Sequence, residues 1–161
     1  MTLGGVQLRQ FEPADLAAVR ELIEDTIEAS YSGVYSPRAI EHFRQHHSAA
    51  RILERCASGR VLVAQREDRL VATGSVVGDE IAGVFVSFDC QHAGIGASVM
   101  DELEAIAQAA GRVTVQLSAS LPSVGFYEHR GYSMLEARSV DVGAGERLDY
   151  WLARKCLRGE S

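Results

Sequence analysis

Residues 91–96 read Gln91-His92-Ala93-Gly94-Ile95-Gly96, between a strand-like run and a long amphipathic stretch. Gly94 and Gly96 carry no side chain, so backbone N–H groups can close around a phosphate at this point. A helix that opens here aims the positive end of its dipole at the same spot. The chemistry implied is the grip of a diphosphate. Two common grips do not fit. A P-loop needs Gly-Lys-Ser/Thr, and Gly96 is followed by Ala97-Ser98 with no lysine. A dinucleotide fingerprint needs a third glycine where Val99 stands. It also needs an acidic residue about 20 positions on, where the chain reads Val113 to Leu117.

The elements around the loop follow from periodicity. Val6 and Leu8 alternate with Gln7 and Arg9, which predicts a strand over 5–11. Pro13 and Asp15 open a helix with Leu16, Val19, Leu22, Ile23 and Ile27 on one stripe. Residues 30–36 read as a loop. Ser36-Pro37 is an N-cap and N1 pair for a helix through about His47. Ser48 caps a further helical segment ending near Gly59. The period then becomes two. Strands are predicted at 61–64, 70–78 and 81–87, with short polar turns that imply antiparallel hairpins. After the glycine loop come a helix to Ala110, a strand at 113–117 and a short helix over 121–130. Two final strands, 132–140 and 148–155, are joined by a loop over 141–147. The order is βααβββαβαββ. It gives an α/β (α+β) fold with a central mixed, mostly antiparallel sheet of about six to seven strands flanked by helices.

Composition bounds the function. A chain of 161 residues with 47% hydrophobic content favours one domain, taken as 1–161. No apolar run approaches the ~20 residues of a membrane span. Met1-Thr2-Leu3-Gly4-Gly5 has neither a basic nor a hydrophobic leader segment, so a cytoplasmic protein is expected. The formal charge is −6 with no basic patch, which argues against a nucleic-acid partner. Cys56, Cys90 and Cys156 are odd in number and widely spaced, so neither a disulfide framework nor a zinc knuckle is expected. His42 and His46 are four apart, but no third ligand is near and no metal is expected; with His47 they form a solvated or acceptor-lining face.

The loop, the element order and a second motif together resemble the GCN5-related N-acetyltransferase (GNAT) superfamily. That family's loop is Gln/Arg-x-x-Gly-x-Gly/Ala, and Gln91 to Gly96 fits it. Downstream, Ser120-Leu-Pro-Ser123-Val-Gly-Phe126-Tyr127-Glu-His-Arg-Gly131-Tyr132 is similar to the family's Asn-x-x-Ala-x-x-Phe-Tyr-x-x-x-Gly-Phe. Ser120 stands where Asn is usual and Ser123 where Ala is usual. The resemblance covers nearly the whole chain. It implies an acetyl-CoA cosubstrate held by Gln91, His92, Ala93, Gly94, Ile95, Gly96 and Ala97. Val84, Phe85 and Val86 fall where the family splays two strands apart, so that a backbone N–H polarises the thioester and the pantetheine arm pairs as a pseudo-strand. Ser120 and Ser123 fall beside that arm, although serine reaches less far than the usual Asn. Phe126 is read as a core aromatic. Tyr127 is expected to face the cofactor sulfur.

The resemblance also implies three chemical tasks. A primary amine with a pKa near ~10.4 is neutral in about 1 of 10³ molecules at pH 7, a cost of roughly 4–5 kcal/mol. A carboxylate relieves it. The family often places a Glu eleven residues before the loop's first residue, which here is Glu80, with Asp79 and Asp141 in reserve. Tyr127 serves the leaving thiolate. Tyr31, Tyr35, Asp141 and Glu146 are expected at the acceptor cleft. The acceptor is a small-molecule or peptide amine, with neither nucleic acid nor membrane as partner, and a homodimer is compatible with the final strands. A catalytically silent acyl-CoA-binding regulator, or an acyltransferase with another donor or an alcohol acceptor, stays open as an alternative.

Overall fold

The computed structural model describes residues 2–3 and 5–157; Met1 and Gly4 of the N-terminal stretch lie outside them. Among the described residues, eight strands form one sheet: β1 (Thr2–Leu3), β2 (Val6–Gln10), β3 (Arg60–Arg66), β4 (Arg69–Val77), β5 (Glu80–Val86), β6 (Thr114–Ser120), β7 (Ser133–Gly143) and β8 (Glu146–Cys156). Their order is β1-β2-β3-β4-β5-β6-β8-β7. Five α-helices accompany them among the described residues: α1 (Leu16–Tyr31), α2 (Pro37–His46), α3 (Ala49–Ser58), α4 (Ile95–Ala109) and α5 (Val124–His129). None is long and apolar enough to cross a membrane.

Neighbouring strands are antiparallel except β5 and β6. A parallel pair needs a crossover, and α4 supplies it. The period-two pattern divides side chains between two layers. Leu62 and Ala64 join Ala72, Ile81, Val115 and Leu117 under α4, where Val99, Met100 and Leu103 are buried. Val61 and Val63 face the other way and join Phe85 and Leu148 under α1–α3, packed on Val19, Ile23, Ile27 and Ile52. The caps act as expected. Ser36 Oγ accepts from the Ala39 amide at 3.2 Å, and Ser48 Oγ from Arg51 at 3.4 Å. The break between these two helices leaves His47 outside both.

The expected mixed, mostly antiparallel sheet is present, with Thr2–Leu3 as a short extra edge beyond Val6–Gln10. One expectation needs correction. The 141–147 loop is instead the end of a long hairpin. Gly143 pairs with Glu146 across Ala144 and Gly145, whose φ values are 55° and 76°. Two positive-φ residues make the turn that matches strand twist, so the glycines extend the strands rather than interrupt them.

Behind the sheet, Glu104 of α4 is only 9% exposed. It accepts from the Tyr132 hydroxyl at 2.7 Å, Lys155 Nζ at 3.0 Å and Arg130 Nη2 at 3.2 Å. This cluster ties α4 to the end of α5 and to β8.

Candidate active site

The site begins with a bulge. Ser75 pairs with Ala82 and Thr73 with Phe85, so Gly83 and Val84 of β5 oppose Gly74 alone. Gly83 has φ +64, a conformation that favours glycine. Beyond it β5 leaves β6. The two strands are in register at one position, Glu80 opposite Gln116, with the Gln116 amide donating to the Asp79 carbonyl at 2.9 Å. The wedge that opens is lined on one edge by Val84, Phe85 and Val86.

On the α4 side of the wedge lies a cleft of about 320 Å³. It is walled by Val84, Phe85, Val86, Gln91, His92, Gly94, Gly96, Ala97, Ser120, Ser123 and Tyr127, together with Thr26, Ser30 and Phe126. Gly94, with φ +83, is the N-cap of α4, and the first intrahelical bond there is Ser98 N to Gly94 O at 3.1 Å. The amides ahead of Ser98 in this first turn therefore lack intrahelical acceptors. A Cβ on Gly96 would sit 3.3 Å from Val86 Cγ2 and 3.4 Å from Phe126 Cζ, so the backbone here is closely approached. These features fit a diphosphate with its attached arm. Gln91 turns its side chain back, and its Nε2 donates to the Val86 carbonyl at 3.0 Å. Ala93 is exposed outside the lining and Ile95 is buried in the core.

On the helical side lies a second cleft, of about 290 Å³. Glu80, Phe43, His42, His46, His47 and Tyr150 line it. Tyr31, Val84, Phe85, Ser120, Ser123 and Tyr127 line both clefts, so the two meet at this group. Tyr31 donates its hydroxyl to Ser120 Oγ at 3.0 Å, and Ser120 Oγ donates to Ser123 Oγ at 3.0 Å. The two serines thus form a chain with a phenol where the family carries one amide.

Tyr127 is 7% exposed and packs edge-on against Phe126 and Tyr132 at 5.1 and 5.5 Å. Burial pushes its phenol well above the usual range. Its hydroxyl has no protein partner among the described residues and is not sealed from the clefts. Tyr31 is raised in the same sense, first by burial and against the Ser120 hydrogen bond. Among the described residues no group of acidic, histidine and cysteine side chains could hold a metal ion.

Some expected residues lie elsewhere. Tyr35 is buried as a clamp: its hydroxyl donates to the Asp149 carbonyl at 2.9 Å and accepts from the Leu121 amide at 2.9 Å. Burial pushes its phenol up to about 12, against the Leu121 amide bond, which pulls it down. Asp141 is exposed on β7 and accepts from the Gly143 amide at 2.8 Å, while Glu146 lies at the tip of the same hairpin; neither lines a cleft. Asp79 is likewise outside both. Phe126 is not core but 38% exposed, on the rim of the α4-side cleft. The sequence reading missed Phe43 and Tyr150, whose distant positions give no local signal. It missed Thr26 and Ser30 too, although their four-residue spacing on α1 marks a polar edge on an apolar stripe.

A family model described as an acetyltransferase (GNAT) domain matches residues 31–144. The fold is similar to that of a GCN5-related N-acetyltransferase from Rhodopseudomonas palustris, at 25% identity over 97% of this chain and 98% of that one, with a TM-score of 0.86. It is also similar to a PaiA N-acetyltransferase from Thermoplasma acidophilum, solved in complex with coenzyme A, at 20% identity over 97% and 99%, TM-score 0.75. A ribosomal-protein-alanine N-acetyltransferase from Brucella melitensis matches at 20% identity over 93% and 99%, TM-score 0.70. The last two likenesses are of fold. Among curated proteins none matches. With most of its length matched by the family model and its sheet splayed beside a glycine-capped helix, the chain belongs to the GNAT acetyltransferase family.

Proposed function

We propose that the protein moves an acetyl group from acetyl-CoA to the amine of a small molecule or peptide, by direct attack in a ternary complex. The observation that carries this reading is the meeting of two clefts at the β5–β6 wedge, with Tyr127 in the shared wall. Two substrates entering through the two clefts would touch there without a covalent enzyme intermediate. Acetyl-CoA supplies an activated thioester when bound. The first turn of α4 offers unpaired amides to the diphosphate, and Gly94 and Gly96 leave room for it. The bulged backbone at Val84–Val86 offers N–H groups to the thioester oxygen, which gains charge as nitrogen adds. Glu80 takes the proton that the acceptor ammonium must lose, directly or through water.

Tyr127 donates a hydrogen bond to the sulfur as the C–S bond breaks and the N–C bond forms. An ordinary phenol is already about 1.5 units less acidic than a thiol. Burial raises Tyr127 further, so a tightening hydrogen bond fits better than full proton transfer. The test is free-thiol release from acetyl-CoA across an amine panel. Acyl-CoA binding without thiol release for any amine or alcohol would leave a binding protein and overturn the enzyme.

A further inference from the structure

His47 sits in the break between α2 and α3, 8% exposed, with its ring edge-on to Phe85 at 5.0 Å. It lines the helical-side cleft. Arg55 of α3 lies behind it. One guanidinium nitrogen, Nη1, is 3.1 Å from His47 Nδ1, and the other, Nη2, donates to the His46 carbonyl at 3.0 Å. Arg55 is also seated on the bulge, since a Cβ on Gly83 would come within 2.7 Å of Nη1. Among the described residues no carboxylate lies at ion-pair distance from Arg55; Glu80 and Glu54 act on it from further away.

A guanidinium only donates. The Nδ1 lone pair must therefore accept, which leaves the proton of a neutral ring on Nε2. Burial, then the Arg55 charge, holds His47 well below the usual histidine range, so the ring stays neutral near pH 7. Its Nε2 has no protein acceptor among the described residues and is not among the sealed polar atoms. A fixed N–H donor is thus left free on a ring that lines the cleft, and leaving it unpaired under a ligand would cost free energy.

Resting on the acetyl-transfer reading, we propose that the acceptor amine carries a hydrogen-bond-accepting oxygen, a carbonyl or a carboxylate, which His47 Nε2–H recognises while Arg55 fixes the imidazole tautomer. Bare alkylamines and polyamines lack that oxygen and are discriminated against. Phe43, Phe85 and Tyr150 give the same cleft apolar walls, which suit an aromatic body.

Three probes separate the elements: phenylalanine, phenylalaninamide and phenethylamine. Wild-type kcat/KM for at least one oxygen-bearing probe should exceed that for phenethylamine by about tenfold or more. Phenylalanine against its amide tells carboxylate from carbonyl. His47→Phe and Arg55→Met should bring the ratio to within about threefold. Arg55→Lys, which still donates to Nδ1, should restore part of it. Histidine 15N NMR of the full chain with coenzyme A should report the Nε2–H tautomer of His47 and a shift on adding an oxygen-bearing probe but not phenethylamine. An Nδ1–H tautomer, an unshifted His47, or a wild-type ratio near one overturns the proposal. If His47→Phe does not fold, Arg55→Met and the spectra decide. If no amine releases thiol, the transfer reading falls, while the NMR result still decides what His47 offers.

Discussion

Replacing Tyr127 by Phe isolates one hydrogen. The ring would keep its edge-on contacts with Phe126 and Tyr132, and the hydroxyl has no protein partner among the described residues. Folding stability should therefore change by less than about 0.5 kcal/mol, within the range of a neutral substitution. What is lost is a donor to a developing thiolate inside a buried wall. A hydrogen bond to a charged group is worth about 1.5–3 kcal/mol, and each ~1.36 kcal/mol is a factor of ten in rate. Turnover should fall by roughly 10- to 150-fold with acetyl-CoA affinity unchanged. Thiol release gives kcat, calorimetry gives the affinity, and a melt guards against misfolding. Turnover near wild type would refute the role and leave Tyr31, the other phenol shared by both clefts, as the candidate. A fall in affinity with kcat intact would assign Tyr127 to ground-state binding instead.

Gly94→Glu should weaken acetyl-CoA binding by about 10²-fold or more, since a carboxylate some ~4 Å from a phosphate is opposed by about 4 kcal/mol. Gly94→Ala controls for the positive φ, and unchanged affinity in Gly94→Glu would remove the diphosphate assignment. Glu80→Gln should cut kcat/KM about 10²-fold at pH 7, with the gap closing as pH nears the amine's own ~10.4; a pH-independent loss argues against proton transfer. His47 lies well below its usual range in the fold, and His46 is lowered to about 4, both chiefly by burial. The unfolded chain therefore takes up these protons first. The stability they support is complete above pH ~6.5 and is lost as pH falls toward 4, by up to about 1.4 kcal/mol per unit for His47 and less for the more exposed His46. A urea midpoint flat across that window contradicts the burial. Glu104→Ala leaves Lys155 and Arg130 without their shared acceptor and should cost about 3 kcal/mol, seen as a Tm lower by roughly 6–12 °C; a loss under 1 kcal/mol would mean the cluster is solvated.

The fold was legible where one period governs a whole element. Val61 to Ala64 are all apolar because both sheet faces are covered, and the pleat sends them alternately into the two cores; the α4 stripe repeats because one face meets the sheet. It was least legible at 141–147. There glycine content suggests a loop, whereas Gly143, Ala144 and Gly145 supply the positive φ of a tight hairpin. Tyr35 shows the same limit for a side chain. A tyrosine in a loop next to a cleft reads as a ligand contact, but its hydroxyl is spent on Asp149 and Leu121, more than 80 residues away. Phe126 erred in the opposite direction, since nothing in its neighbours reveals that Gly96 leaves a groove for its ring.

The two clefts differ in how the chain encodes them. The α4-side cleft draws heavily on two short runs, 91–97 and 120–127, so its chemistry appears as contiguous motifs. The helical-side cleft takes Tyr31 from α1, Phe43 from α2, His47 from the break after it, Glu80 from β5 and Tyr150 from β8. Joining them is a single extra residue in β5. The bulge at Gly83–Val84 lets the strand leave β6, opens the wedge to both layers, and leaves a Cα without Cβ against which Arg55 lies. Arg55 in turn holds His47 at the cleft wall. On the proposed reading, donor geometry and acceptor recognition are coupled through one glycine. An acceptor cleft re-shaped by substitutions on α2 and α3 would still have to keep glycine at position 83, because even a Cβ there would press on the guanidinium and strain the positive φ of the bulge from which the proposed thioester contact follows.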